Sequence, residues 1–165
     1  MYAVGQACRV GYVKLNGRKV WESSVCSSEI DAHRGINILE IEPLACTLSL
    51  TRNFDTFFSY TSDNLTKYLQ QMSSDTVVVG LTGSYYSLKH FTNDGRTNLS
   101  KTFGVDVANV DIVTGSFAFV GQKGQLPKTV LDTAIDRQES NRSPAHVNVA
   151  IAGTRTAVRL SLIHI

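Results

Sequence analysis

The 165-residue chain carries 16 basic and 14 acidic side chains, a formal charge of +2, and only 18% charged residues. A chain of this size suits one domain and buries about 68–70% of the surface its unfolded form exposes, so it needs no disulfide staples to fold. With no basic stripe it does not read as a nucleic-acid binder, and no apolar run approaches the about 20 residues that span a bilayer.

In chain order, residues 9–15 alternate, Asn16-Gly17 is a strong hairpin signal, and 18–21 return, which predicts a first β-hairpin. A polar loop over 22–33 follows. Residues 36–41 form a strand whose apolar density implies deep burial, Glu42-Pro43 marks a turn, and 46–50 read as the hairpin partner. Ser62 is the expected N-cap of a helix that places Leu65, Tyr68, Leu69 and Met72 on one face. The continuous apolar run 76–81 predicts a central strand. A second, shorter helix starts near Asn93 or Asp94 and ends near Phe103, with Gly104 at the left-handed position after it. Residues 117–121 are another buried strand. A polar connection, 136–144, leads to strands at 147–151 and 156–165 around Gly153-Thr154-Arg155, a terminal β-hairpin. The expected fold is α+β: a mostly antiparallel, β-sandwich-like body with two short helices and a C-terminal hairpin.

The compartment is read from smaller signals. Sequons occur at Asn64-Leu65-Thr66, Asn98-Leu99-Ser100 and Asn141-Arg142-Ser143, the last weakened by Pro144, and they favour secretion. The start, Met1-Tyr2-Ala3-Val4-Gly5, does not read as a signal peptide, which leaves a mature secreted chain or a cytosolic one. Cys8, Cys26 and Cys46 are an odd number. In a secreted protein they predict one intrachain bond and a leftover thiol, hence a disulfide-linked homodimer or a free cysteine. Three buried reduced thiols are the alternative. No two cysteines have the close spacing of a zinc knuckle.

Three blocks carry a family resemblance: Arg34-Gly35-Ile36-Asn37-Ile38-Leu39-Glu40-Ile41, Arg52-Asn53-Phe54-Asp55-Thr56-Phe57, and Gly115-Ser116-Phe117-Ala118-Phe119-Val120-Gly121-Gln122-Lys123-Gly124. With the hairpin Val13-Lys14-Leu15-Asn16-Gly17 before them, Leu81-Thr82-Gly83-Ser84 after the central strand, and Thr102-Phe103-Gly104-Val105-Asp106-Val107 at a helix end, the ordered set resembles the ILEI-type domain (interleukin-like epithelial–mesenchymal-transition inducer). The resemblance runs from about residue 8 to about 134, within a single domain of 1–165 on which the hairpin 145–165 packs. It implies a secreted or lumenal protein, and several members bind carbohydrate. In a related stem domain of a lumenal N-acetylglucosaminyltransferase, two arginines and an aspartate hold the sugar. Carried over by position, the first arginine is Arg34, the aspartate falls near Thr82-Gly83 where no carboxylate stands, and Thr114 replaces the second arginine.

The candidate carbohydrate-binding residues are Arg34, Tyr85, Tyr86, Asn93 and Asp94. Arg34 either grips a sugar hydroxyl or forms a structural ion pair. Tyr85 and Tyr86 leave the central strand, where an aromatic face stacks on the C–H face of a hexose or fills the core. Asn93-Asp94-Gly95-Arg96-Thr97-Asn98 reads as an oxygen-rich loop, and Asp94, Asn93 and Asn98 are hard donors that suit calcium. Helix capping by Asn93 or Asp94 competes with that reading. Glu22, Glu29 and Asp31 offer a second cation site, Trp21 a further stacking face, and Asp55 is expected to satisfy backbone donors near the first helix. His33, His90, His146 and His164 show no metal spacing, and no nucleophile elbow or phosphate loop appears. The expectation is a non-catalytic secreted lectin for galactose-ended glycans, with calcium as its cofactor and glycans as its partners, without membrane insertion. By similarity, small invertebrate galactose lectins of this size point the same way. The alternative is a secreted cytokine-like factor acting through a protein receptor.

Overall fold

A computed structural model of the chain describes residues 11–23, 33–42, 44–45, 47–58, 60–82, 88–108, 110, 116–124, 130–136, 146–152 and 157–164. The elements are β1 (Gly11–Leu15), β2 (Arg18–Ser23), β3 (Ile36–Glu42), β4 (Thr47–Phe54), α1 (Thr61–Gln71), β5 (Val77–Thr82), α2 (Asn93–Phe103), β6 (Ser116–Gln122), β7 (Val130–Asp136), β8 (His146–Ala152) and β9 (Ala157–His164). They build two antiparallel sheets, ordered β2-β1-β9-β8 and β4-β3-β5-β6-β7. The α+β class with a sandwich body and two helices is what the strand and helix patterns predict.

Three layers result, and the five-stranded sheet is the middle one. Side chains alternate across a strand, so each of its central strands serves two cores. On one face Leu39, Ile41, Val77, Val79, Leu81, Ala118 and Val120 pack against Val13, Leu15 and Trp21 of the other sheet. On the opposite face Ile36, Ile38, Val78, Phe117 and Phe119 pack under Leu65 and Leu69 of α1 and Leu99 and Phe103 of α2. This double burial is why 36–41 and 76–81 are nearly unbroken apolar runs rather than alternating ones.

Four details depart from the sequence expectation. Residues 130–136 form β7, paired with β6 from Ser116↔Asp136 to Gly121↔Val130, where no strand is expected. The C-terminal hairpin does not pack onto a finished domain, because β9 pairs with β1 along Gly11↔His164 to Leu15↔Leu160 and so supplies half of a sheet. Ser62 lies inside the first turn of α1 and does not cap it: Tyr60 holds the cap position and no side chain bonds there. Instead the Ser62 hydroxyl donates to the His90 carbonyl (3.0 Å) and accepts from the Thr92 amide (3.3 Å), stitching the starts of the two helices together. The second helix is no shorter than the first, for each spans 11 residues.

The helix ends show what the family blocks contribute. Thr92 caps α2, its hydroxyl accepting from Gly95 N (3.1 Å), and Gly104 closes it at φ +73° with its amide on the Ser100 carbonyl (2.6 Å). A side chain at that φ would be strained, so Gly104 is the expected stop. The end of α1 is closed from a distance. The Lys123 ammonium donates to the carbonyls of Gln70 (3.1 Å) and Met72, while its backbone pairs with Thr76 and Asp75. A cation on the carbonyl end of a helix satisfies orphan acceptors and opposes the helix dipole. Lys123→Met keeps the length but loses the charge and the donors. It is expected to lower stability by about 1–2 kcal/mol, read as a shifted urea midpoint with an unchanged m-value.

Candidate functional site

The clearest construction of polar and aromatic groups lies at one end of the middle sheet. The register Ile36↔Phe54 brings the residues before β3 against those after β4, and Ile36↔Thr82 adds the end of β5. Arg34 and Asp55, 21 positions apart, meet there as a two-pronged ion pair: Nε donates to Oδ1 (2.9 Å) and Nη2 to Oδ2 (2.7 Å). Such fork-on-fork pairs are shorter and stronger than neutral hydrogen bonds. Asp55 Oδ1 also accepts from the Phe57 amide (3.2 Å), so the expected role of Asp55, satisfying a backbone donor ahead of α1, is present beside the ion pair.

Gly35 makes this approach possible. Its φ is +97°, and a Cβ there would stand 2.0 Å from the Phe54 carbonyl oxygen and 2.7 Å from the Thr56 nitrogen. Behind it Asn37, fully buried, donates from Nδ2 to the His33 carbonyl (2.9 Å), and its Oδ1 accepts from Asn53 Nδ2 (3.0 Å). Asn53 Nδ2 reaches the Arg34 carbonyl as well (2.9 Å). Arg34-Gly35-x-Asn37 and Asn53-x-Asp55 are therefore two halves of one clamp.

An aromatic cluster rests on the clamp. The Arg34 guanidinium lies 4.2 Å from the Phe57 ring centre and 5.4 Å from that of Phe58, and Lys89 Nζ lies 4.8 Å from Phe57. His90 meets the Phe57 ring edge-on at 6.4 Å, and its amide donates to the Thr56 carbonyl (2.9 Å). Phe58 and Tyr60 stack nearly parallel, 13° apart with centroids 6.0 Å apart. They are also exposed, Phe58 at 44% and Tyr60 at 66%. The result is an exposed aromatic shelf, the stacked Phe58–Tyr60 pair, bordered by cations and one carboxylate. Trp21 meets His33 edge-on at 5.2 Å, but Trp21 is buried and packs in the sandwich core, so it is no open stacking face.

The expected site residues are distributed differently. Arg34 is in the clamp. Asn93, Asp94 and Asn98 lie within α2, not in a loop, because Thr92 starts the helix one residue earlier. Asp94 and Asn98 share a face four residues apart while Asn93 is rotated from them, and the Asn98 amide donates to Thr66 Oγ1 (3.4 Å). Among the described residues no three His, Cys, Asp or Glu side chains come together as a metal group. Tyr85, Tyr86, Gly83, Thr114, Glu29, Asp31, Asn141, Cys8, Cys26 and Cys46 lie outside the described residues. Thr82 is buried, and its hydroxyl bonds both the amide (3.2 Å) and the carbonyl (3.4 Å) of Phe117, completing the β5–β6 ladder.

Phe57, Phe58, Tyr60, Lys89 and His90 were not expected at a site. A signal exists in Phe54-x-x-Phe57-Phe58-x-Tyr60, an aromatic density that fits neither strand nor helix periodicity. Elsewhere the helix layer is held by buried Arg96, whose Nη1 donates to the carbonyls of Val107 (2.8 Å) and Val110 (2.9 Å). Tyr68 donates to Glu40, and burial first, then that hydrogen bond, pushes its hydroxyl far above the usual tyrosine range.

Compared with known proteins, the chain matches the family model described as Interleukin-like EMT inducer over residues 34–125. That span is more than half of the 165 residues and begins at the ion-pair arginine. No curated protein matches the chain.

Two outcomes follow from the clamp. Gly35→Ala combines a left-handed φ with a backbone collision and should cost about 3 kcal/mol or more, measured by denaturant unfolding. Arg34→Lys and Asp55→Asn should each cost about 1.5–3 kcal/mol, and the double variant less than their sum. Strict additivity in that cycle would contradict the pairing.

Proposed function

The chain belongs to the interleukin-like EMT inducer family, and on that premise we propose that it is a secreted, non-catalytic carbohydrate-binding protein for galactose-ended glycans. The observation that carries this reading is the exposed Phe58–Tyr60 shelf beside Arg34, Asp55 and Lys89. A hexose presents an apolar C–H face and a rim of hydroxyls. A ring stacked under the face gives dispersion and burial, and charged groups at the rim give hydrogen bonds stronger than neutral ones. Galactose, with its axial hydroxyl, leaves one face apolar enough to lie flat on such a surface.

In this reading the aromatic shelf holds the sugar directly. Two copies joined through the odd cysteine would present two shelves, and bivalence raises avidity without new contacts. No helix among the described residues is long and apolar enough to cross a membrane, which says nothing of strands.

The same shelf favours one second reading. Aromatic residues beside an arginine are the side chains most enriched at protein-interface hot spots, and the family description names an interleukin-like inducer. A cytokine-like factor would use Phe58 and Tyr60 against a receptor.

A glycan array separates the two. The lectin reading expects binding to terminal galactosides that persists in EDTA and weakens about tenfold in Tyr60→Ala, the loss of about 1.4 kcal/mol of stacking. Binding abolished by EDTA would move the site to a bound cation. Silence across the array, with a folded protein, would sink the lectin and favour the receptor reading. Migration as a monomer on a non-reducing gel would remove the covalent dimer.

A further inference from the structure

Two of the three Asn-x-Ser/Thr sequons fall in the described helices, and the fold treats their acceptor nitrogens differently. Asn64 is on α1 and exposed. Its side chain has no hydrogen-bond partner among the described residues. Asn98 is on α2 and half-buried, with Nδ2 aimed across the seam between the helices at Thr66 Oγ1 (3.4 Å). Close to that seam Leu65, Leu69 and Leu99 are buried in one core.

We infer that Asn64 is an N-glycosylation site and that Asn98 is not one in the folded protein. The inference rests on the reading that the protein is secreted, since the modification belongs to that compartment. The donor is a polyprenyl-pyrophosphate-linked oligosaccharide. Asn64 Nδ2 forms the bond to C1 of the first sugar, the C1–O bond to pyrophosphate breaks, the amide loses a proton, and the polyprenyl pyrophosphate leaves. Nothing is oxidised or reduced.

Timing and room distinguish the two positions. A sequon inside a helix must be read while the chain is still extended, before α1 and α2 form. A glycan added at Asn64 then stands in solvent when α1 folds. One added at Asn98 would have to occupy the seam where its amide meets Thr66, and α1 could not dock on α2. Chains modified there are lost from the folded pool. Thr66 has two consecutive uses: its hydroxyl completes the Asn64 sequon in the extended chain and accepts from Asn98 in the folded one. Asn64 is also one helical turn from Tyr60, so its glycan stands at the border of the aromatic shelf.

The test uses the full chain behind a cleavable secretory leader in a eukaryotic cell, so entry into the lumen is guaranteed. Peptide-N-glycosidase converts each occupied Asn to Asp, and peptide mass mapping locates the conversion. Asp is expected at position 64 in most secreted molecules, with Asn retained at 98. Asn64→Gln should remove the glycan-dependent gel shift of the helical region, and Asn64→Asp should do so independently if the first variant is not secreted. Asn98→Gln should leave the shift intact. Unmodified Asn64 in secreted protein, or conversion at Asn98 equal to that at Asn64, would overturn the inference. Because the leader forces lumenal entry, an unmodified Asn64 speaks against the acceptor and not against secretion, and sugar binding is decided separately by the glycan array.

Discussion

The Arg34–Asp55 pair fixes where the middle sheet ends, and the layers on either side take their positions from that sheet. β3 has β4 on one flank and β5 on the other. If the chain before β3 and the chain after β4 could separate, Ile36 and Phe54 would lose their opposed places under the helices. The ion pair, the buried Asn37 bridge and the missing Cβ of Gly35 hold them together by three independent means: charge, hydrogen bonds and close backbone approach. Only a fifth of the Arg34 side chain and 28% of that of Asp55 is exposed, so water screens the pair less than a surface ion pair.

The same constraint sets the position of the aromatic shelf. Asp55 turns the chain sharply after β4, and Phe57 is caught between the guanidinium and the 88–90 turn. With Phe57 fixed, Phe58 meets it at nearly a right angle, 89°, and Tyr60 stacks on Phe58. A surface that would otherwise be a mobile loop becomes a preorganised one, and preorganisation lowers the entropy lost on binding.

Much of this was legible in the amino-acid order, and the parts that were not share a cause. β3, β5 and β6 announce themselves because burial on both faces demands unbroken apolar runs. α2 ends where Gly104 says it should. By contrast, Val130-Leu131-Asp132-Thr133-Ala134-Ile135-Asp136 has mixed periodicity, and its strand state comes from pairing with β6, a non-local event. The terminal hairpin was visible as a hairpin, yet its union with β1, across almost the whole chain, leaves no local trace. Arg34 was singled out, but its partner 21 residues on could not be read from spacing. Asn93 and Asp94 misled because oxygen-rich residues mark loops and first helical turns alike, and the Thr92 cap decides between them.

The pairing of β1 with β9 also orders events during synthesis. Val13, Leu15 and Trp21, which cover Leu39, Val79 and Val120, precede β3 in the chain, but their strand gains its second flank only when residues 157–164 pair with it. Until then one flank of β1 is unpaired while the other is held by β2. So non-local a pairing forms slowly relative to local folding, and an unpaired strand edge is open to association with other chains until it closes.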